Sequence, residues 1–295
     1  MLTYRDQVKQ KKVGLMKKIY LLPNVITALG LSCGLFAIFK TNMIEVGHVN
    51  QEILITLAGI LILAAFADVL DGTVARVMKA DSEFGGVFDC LSDGITFGVA
   101  PSVIILKSLS LEIGSFMSMM LTVAVMIYAV CGVLRLVRFQ VDSGIPSEGK
   151  NKHFTGLPIP MAAAAALSGN LLLASHVFQD NIYIGSDTRA WLLFGQMVLL
   201  GYFMVSRWKF PSVKTLRIRV VTFQQVFIIV LFAVLILYGI LHQFVLVFFG
   251  MSWGYLVLSW SLSLARIILG KKSRTLESFE PEPELESDPD DREEV

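Results

Sequence analysis

Four aspartates inside an otherwise apolar part of the sequence constrain this chain more than any other feature. Asp68 and Asp71 follow one run of aliphatic residues, and Asp89 and Asp93 precede another. An acidic side chain near the centre of a membrane helix costs about 2.5–3.5 kcal/mol on insertion scales, so four of them need a compensating partner. A divalent cation is the obvious one, because oxygen ligands without His or Cys suit Mg²⁺, Mn²⁺ or Ca²⁺ rather than Zn²⁺.

The spacing of these residues predicts that their carboxylates meet. In helical conformation Asp68 and Asp71 share one face, and Asp89 and Asp93 share another. An antiparallel hairpin that turns near residues 80–81 places Asp68 level with Asp93, and Asp71 level with Asp89. At a rise of about 1.5 Å per residue, the carboxylates then lie roughly 13–19 Å from the turn. Four negative charges there can balance two divalent cations, the arrangement of two-metal phosphoryl chemistry.

Two glycines and an arginine accompany the aspartates at fixed spacing. The full pattern is Asp68-x2-Asp71-Gly72-x2-Ala75-Arg76-x8-Gly85-x3-Asp89-x3-Asp93. It resembles, without a gap or a substitution, the signature of the CDP-alcohol phosphatidyltransferases. The resemblance implies a helical membrane enzyme that uses Mn²⁺ or Mg²⁺ for phosphoryl transfer, and it implies a homodimer.

Position and resemblance together predict a role for each residue. Asp68, Asp71 and Asp89 are expected to hold two divalent cations. Asp93 also approaches a cation and is the expected general base for the acceptor hydroxyl. Residues expected near the nucleotide and its phosphates are Asn24, Thr27, Gly72, Arg76 and Gly85.

Asn24 and Thr27 belong to the segment that opens the first apolar run. Pro23 precedes them and suits the first turn of a helix. Asn24 and Thr27 then share a face near one end of the span and can reach a nucleotide or phosphate. Helix capping and interhelical hydrogen bonding are alternative roles for both side chains.

Composition indicates an all-α, polytopic membrane bundle. The 295 residues are 55% hydrophobic and only 17% charged, and the mean hydropathy is +0.67, whereas soluble domains have about 25% charged residues. About eight apolar runs are each close to the roughly 20 residues that span a bilayer. These runs are 22–41, 53–76, 84–107, 115–138, 158–178, 189–206, 223–241 and 244–269.

The distribution of charge predicts domain limits and orientation. Residues 1–20 are basic and partly amphipathic, which favours a surface helix on anionic lipid. The membrane domain is expected over 21–272, and the acidic segment 273–295 is expected to be a disordered tail. Eight spans place 22 of the 25 Lys and Arg on one side, so both termini and the metal cage should face the cytoplasm from the cell (inner) membrane. No nucleic-acid partner is expected.

Two later segments indicate which group within the family the chain resembles most. Arg135 and Arg138 lie three residues apart and can bind an acceptor carboxylate or a lipid phosphate, or can simply mark the membrane edge. They belong to Leu-Arg-Leu-x-Arg-Phe, which with the run Phe-x-Gly-Leu-Pro-x-Pro at 154–160 resembles the CDP-diacylglycerol–serine O-phosphatidyltransferases. The expected substrates are then CDP-diacylglycerol and L-serine, among membrane lipids. His153 and the basic loop 207–222 keep no assigned role.

Alternatives to serine transfer remain open. Enzymes with the same signature transfer to other acceptors, such as glycerol 3-phosphate or inositol phosphate. From a different class, intramembrane acids can line the pathway of an ion-coupled transporter. Transporters are often built from two repeats, and the aspartate cluster has no second copy in this sequence.

Overall fold

The computed structural model describes residues 4–45, 48–78, 82–109, 111–112, 114–144, 156–175, 178, 185–206 and 237–269. This part of the chain is helical and contains no β-strand. Its principal elements are α1 (Tyr4–Met43), α2 (Gln51–Met78), α3 (Glu83–Asp93), a π-helical segment (Gly94–Val99), α4 (Ala100–Ser108), α5 (Phe116–Gly144), α6 (Ile159–Ala174), α7 (Ser186–Val205) and α8 (Phe244–Leu269).

The predicted polytopic helical bundle is confirmed. Within the described residues, six helical stretches are long and apolar enough to cross a membrane. They are Leu22–Met43, Gln51–Met78, Phe84–Ser108, Phe116–Val141, Ser186–Val205 and Phe244–Ser261. The predicted seventh run, 223–241, lies mostly outside the described residues, so the count of eight stays a prediction.

The predicted fifth span, 158–178, is wrong in its length. Helix α6 has only 16 residues, about 24 Å at 1.5 Å per residue, whereas the hydrocarbon core is about 30 Å thick. Its middle residues, 165–171, are all buried, which is typical of a helix surrounded by others. The apolar character of 158–178 therefore reflects burial inside the bundle as much as exposure to lipid.

Helix α1 is longer than the sequence suggested. It runs without a break from Tyr4 to Met43 and contains Pro23 in its interior. The prediction that Pro23 lies in a first helical turn is therefore wrong. A proline inside a helix removes one backbone hydrogen bond, and surrounding packing routinely outweighs such a local cost. The domain limits at 20/21 and 272/273 stay predictions. Helix α1 runs through the first limit without a break, and the tail 270–295 lies outside the described residues.

Small residues and polar side chains hold α6 against its neighbours. Gln196 on α7 donates from Nε2 to the backbone carbonyls of Ala165 (3.1 Å) and Ala166 (2.8 Å). Trp253 on α8 donates from Nε1 to the Ala165 carbonyl at 3.2 Å. These contacts are possible because alanines let neighbouring helices approach closely, as is common in membrane bundles. Helix α6 is thus fixed between α7 and α8.

Helix α1 joins the two helices that carry the aspartates. It packs along α2 and also contacts α3, the π-helical segment and α4, whereas α2 and α3 make few direct contacts with each other. The predicted hairpin is therefore more open than a closely packed helix pair, and its turn at 79–81 lies outside the described residues. The gap between α2 and α3, closed on one side by α1, is where the acidic side chains meet.

Candidate active site

Three of the four aspartates form a compact group. One carboxylate oxygen from each of Asp68, Asp71 and Asp89 lies within 4.8 Å of the others. Asp71 is only 4% exposed, and Asp68 and Asp89 are partly buried. Asp68 and Asp71 come from neighbouring turns of α2, and Asp89 comes from α3 across the gap. The predicted meeting of these side chains is therefore observed.

The fourth aspartate lies in the same recess but outside this group. Asp93, one turn after Asp89 on α3, lines a recess that is partly open to the surface. The recess is lined by Thr27, Gly30, Ala64, Asp68, Asp71, Asp89, Ser92, Asp93, Thr96 and Phe97. Asp93 thus stands beside a cluster of three acids, a position suited to a substrate that the cluster holds.

The chemistry of the three-aspartate group fits a divalent cation. All the available donors are carboxylate oxygens, which hard cations such as Mg²⁺ and Mn²⁺ prefer. Among the described residues, no Lys or Arg forms an ion pair with these aspartates. The carboxylates therefore repel one another, and no positively charged side chain of the described residues contacts them to offset that repulsion. Asp68, Asp71 and Asp89 are the residues that would hold a metal.

Thr27 orients one of the candidate ligands. Its hydroxyl lies 2.5 Å from Oδ2 of Asp71 and 3.1 Å from the carbonyl oxygen of Pro23. The hydroxyl has one proton, and the shorter distance favours donation to the carboxylate. Residues that hydrogen-bond a metal ligand fix its orientation and tune its affinity. The sequence placed Thr27 near the nucleotide; in the structure it contacts the acid cluster itself.

Asn24 and Gly85 mark where α1 approaches the start of α3. Gly85 donates its N–H to the hydroxyl of Ser82 at 3.0 Å, which caps α3. A Cβ at Gly85 would lie 2.9 Å from that hydroxyl and 3.1 Å from Oδ1 of Asn24. A side chain at Gly85 would therefore press on both groups, and glycine permits the close approach of α1 to the start of α3.

Gly72 and Arg76 lie in the last two turns of α2, where Gly72 is partly exposed and Arg76 is exposed. Arg76 donates from Nε to the Gly72 carbonyl at 2.7 Å and is otherwise exposed. A Cβ at Gly72 would meet only the end of the Arg76 side chain, at 3.9 Å. The surface around Gly72 is therefore open, which leaves space for a ligand beside the acid cluster.

The two arginines of α5 have different neighbours. Arg138 donates from Nη1 to the carbonyl of Val205 at 3.1 Å, so it caps the end of α7. Leu157 donates its N–H to the Phe203 carbonyl at 3.1 Å on the same helix end. Arg135 instead lies where the charges of Asp68 and Asp93 act on it, and its buried Nε has no hydrogen-bond partner in the described part of the chain.

The backbone conformation of Gly156 explains why the Gly-Leu-Pro segment begins with a glycine. Its φ is +81°, and a Cβ there would lie very close to the carbonyl oxygen of Met204 near the end of α7. Only glycine combines that backbone conformation with that close approach at little cost. This segment therefore docks on the end of α7, next to Arg138. His153 and residues 207–222 lie outside the described residues.

Two residues of the recess were missed from the sequence. Ser92 and Thr96 flank Asp93 and both line the recess. The sequence did contain a signal for both residues, because they are polar side chains in the same apolar segment as Asp93. Helical spacing alone did not distinguish them from the hydroxyl groups that membrane helices commonly bury.

Replacement of Thr27 by Val should weaken metal binding. The substitution keeps the shape of the side chain and removes the donor to Asp71, so we expect the affinity of the purified chain for Mn²⁺ to fall by about 10–100-fold. Thr27→Ser should retain most of the affinity. Thr56→Val, at an exposed threonine that bonds the Glu52 carbonyl, is the matched control. An unchanged Mn²⁺ titration for Thr27→Val would contradict this role.

Comparison with known proteins identifies the family. The sequence model of the CDP-alcohol phosphatidyltransferase family matches residues 20–208. The CDP-diacylglycerol–serine O-phosphatidyltransferase of Helicobacter pylori (strain J99) is 29% identical over 254 residues, which cover 86% of this chain and 96% of the relative.

Two further relatives carry the same name. The Bacillus subtilis (strain 168) protein is 30% identical over 193 residues, or 65% of this chain and 91% of the relative. The Methanocaldococcus jannaschii protein is 30% identical over 197 residues, or 67% of this chain and 77% of the relative. The family match includes every residue that lines the recess, so this chain belongs to the CDP-alcohol phosphatidyltransferase family.

Proposed function

We propose that this enzyme transfers the phosphatidyl group of CDP-diacylglycerol to the hydroxyl of L-serine, giving phosphatidylserine and CMP. The observation that carries the proposal is the three-aspartate group, which lies within 4.8 Å inside the segment that matches the family. Relatives that align over most of their length are named as serine transferases, which supports serine as the acceptor.

The aspartates would hold divalent cations, Mn²⁺ or Mg²⁺. Asp68, Asp71 and Asp89 offer three oxygen ligands for one ion, and Asp93 in the same recess would contribute to a second. A bound cation would supply positive charge to the diphosphate oxygens and to the departing phosphate of CMP. The proposal of two ions is supported by the four carboxylates and by the family resemblance.

The chain's own residues would position the nucleotide at the open end of the recess. The absence of side chains at Gly72 and Gly85 would leave space for the cytidine and its phosphates, and Asn24 lies beside Gly85. Arg76 is exposed next to Gly72 and would pair with a phosphate after leaving its contact with the Gly72 carbonyl. The acyl chains would remain in the bilayer and reach the recess between helices, which explains why the site is built inside a membrane bundle.

Asp93 would accept the proton of the attacking hydroxyl. The serine oxygen forms a bond to the phosphorus that carries diacylglycerol, and the bond from that phosphorus to the CMP oxygen breaks. The serine proton passes to the Asp93 carboxylate, and CMP leaves with the bonding electron pair. Asp93 suits this step because it lies in the recess beside the three-aspartate group rather than within it.

Arg135 is the better candidate of the two arginines for the serine carboxylate. Its buried Nε is unpaired within the described residues, whereas Arg138 already binds the end of α7. A guanidinium with an unpaired buried N–H gains from a planar anionic partner that can accept it. The predicted acceptor role of Arg138 is not supported by its observed contact.

Orientation and assembly complete the proposal. The excess of Lys and Arg on one side supports an inner-membrane protein with both termini and the recess facing the cytoplasm. The family resemblance supports a homodimer. An ion-coupled transporter is disfavoured, because the chain belongs to a family of transferases.

A panel of acceptors tests the choice of serine. The purified full-length protein, supplied with CDP-diacylglycerol and Mn²⁺ in detergent micelles, should release CMP in a serine-dependent manner. Glycerol 3-phosphate and inositol phosphate should give much slower release at equal concentration, and excess chelator should abolish release with serine. CMP release that needs glycerol 3-phosphate and not serine would reverse the choice of acceptor.

Replacement of Asp93 by Asn tests the proposed base. The variant keeps the size of the side chain but cannot accept the proton, so kcat should fall by roughly 100-fold or more, while CDP-diacylglycerol still binds. Asp187→Asn, at an exposed aspartate at the start of α7, is the control for loss of one carboxylate. Undiminished CMP release by Asp93→Asn would exclude Asp93 as the base.

A further inference from the structure

A second polar cluster lies at the end of the bundle opposite the recess. Arg189, near the start of α7, donates from Nη2 to Oδ1 of Asn170 on α6 at 3.2 Å. The hydroxyl of Ser108, the last residue of α4, lies 2.9 Å from the same oxygen. Ser108 ends the helical stretch that carries Asp89, roughly 28 Å further along it at 1.5 Å per residue. The cluster is therefore separate from the aspartates.

Arg189 has no acidic partner in the described part of the chain. The one ion pair found there joins His48 and Glu45. Asp187 lies in the first turn of the same helix but is exposed and forms no ion pair with Arg189. The oxygen that Arg189 does contact belongs to the neutral amide of Asn170. A cation taken out of water is costly unless an opposite charge pairs with it, so the charge of Arg189 calls for an anion.

Two N–H groups of the cluster are also unsatisfied. Nε of Arg189 and Nδ2 of Asn170 are buried, and neither has a hydrogen-bond partner in the described residues. Asn170 is 0% exposed, so water does not solvate its amide. Buried polar atoms are nearly always paired in native proteins. Unpaired donors on two side chains in mutual contact call for a ligand with several acceptor oxygens, and a phosphate group combines such oxygens with negative charge.

The start of α7 favours an anion at the same place. The helix begins after Gly185, which has no side chain to cap it, and the N–H groups at a helix start attract negative charge. The predicted topology places only Lys40, Lys107 and Arg189 on this side of the membrane, so the positive-inside rule does not explain an arginine here. Arg189 is partly exposed, which gives a ligand access from the level of the lipid head groups.

We propose that Arg189, with Asn170 beside it, binds a phosphate group at the end of the bundle opposite the recess. Phospholipid head groups supply this group at a membrane surface, and inorganic phosphate is the other source. The ligand neutralises Arg189 and links α4, α6 and α7 through the Ser108–Asn170–Arg189 contacts. The site does not depend on the proposed function, because it shares no residue with the recess.

Thermal unfolding of the full-length protein in lipid-free detergent tests the site. Phosphatidylglycerol at about 100 times its Kd should raise the Tm by about 5–10 °C, whereas diacylglycerol, which lacks the phosphate, should not. Arg189→Gln keeps a donor for Asn170 and removes the charge, so the rise should be lost. Lys40→Gln removes another cation on the same side and is the matched control, which should keep the rise.

Asn170→Asp tests the missing counter-charge directly. The substitution keeps the size of the side chain and places a carboxylate beside Arg189, so the Tm without lipid should increase and most of the lipid-dependent rise should disappear. Arg189→Lys keeps the charge without the planar fork and should retain part of the rise; it serves as a second variant if Arg189→Gln does not fold. A full lipid-dependent rise in Arg189→Gln or in Asn170→Asp would overturn the proposal.

Further arms identify the source of the phosphate. Arg76→Gln, at the recess, should keep the rise, and its loss there would assign the lipid effect to the recess and overturn the proposal. Inorganic phosphate at matched ionic strength assigns the site to the free ion if it gives the whole rise in wild type and none in Arg189→Gln. Asp180, in the linker before α7, lies outside the described residues. A rise seen only in Asp180→Asn would show that the chain supplies its own counter-charge, and no rise with either phosphate source would equally overturn the proposal.

Discussion

Repulsion among carboxylates inside a membrane bundle is the constraint on which the rest of this structure depends. Two like charges roughly 4 Å apart repel by about 4 kcal/mol at an effective dielectric constant near 20. The carboxylate oxygens of Asp68, Asp71 and Asp89 lie within 4.8 Å of one another, and no Lys or Arg in the described residues pairs with them. A bound cation would reverse the sign of this interaction, so a site that is costly alone would become favourable if it held metal and an anionic substrate.

Helix α1 makes that geometry possible. It contacts both α2 and α3, which contact each other little, and so it sets the width of the gap into which the acids project. Thr27 on α1 orients Asp71, and Gly34 lets α1 approach the segment that carries Thr96. One helix without an acidic ligand of its own thus determines the spacing of the acids and the position of the π-helical segment.

The aspartate group was predictable because helical periodicity is local. Asp68, Asp71 and Asp89 lie where their spacing places them, and hydropathy was enough to predict a membrane bundle. The continuous α1 through Pro23, the short α6 and the cap that Arg138 provides for α7 depend on tertiary packing, which a single sequence does not encode locally. The π-helical segment changes the phase of the helix, so periodicity could not identify Thr96.

Anomalous diffraction at the manganese edge tests the central claim most directly. Crystals of the full-length protein grown with Mn²⁺ and CMP should show a strong peak bonded to oxygens of Asp68, Asp71 and Asp89. A second, weaker peak toward Asp93 would agree with two cations. A map with no peak at these oxygens, or carboxylates turned toward separate neighbours with Mn²⁺ elsewhere, would contradict the account.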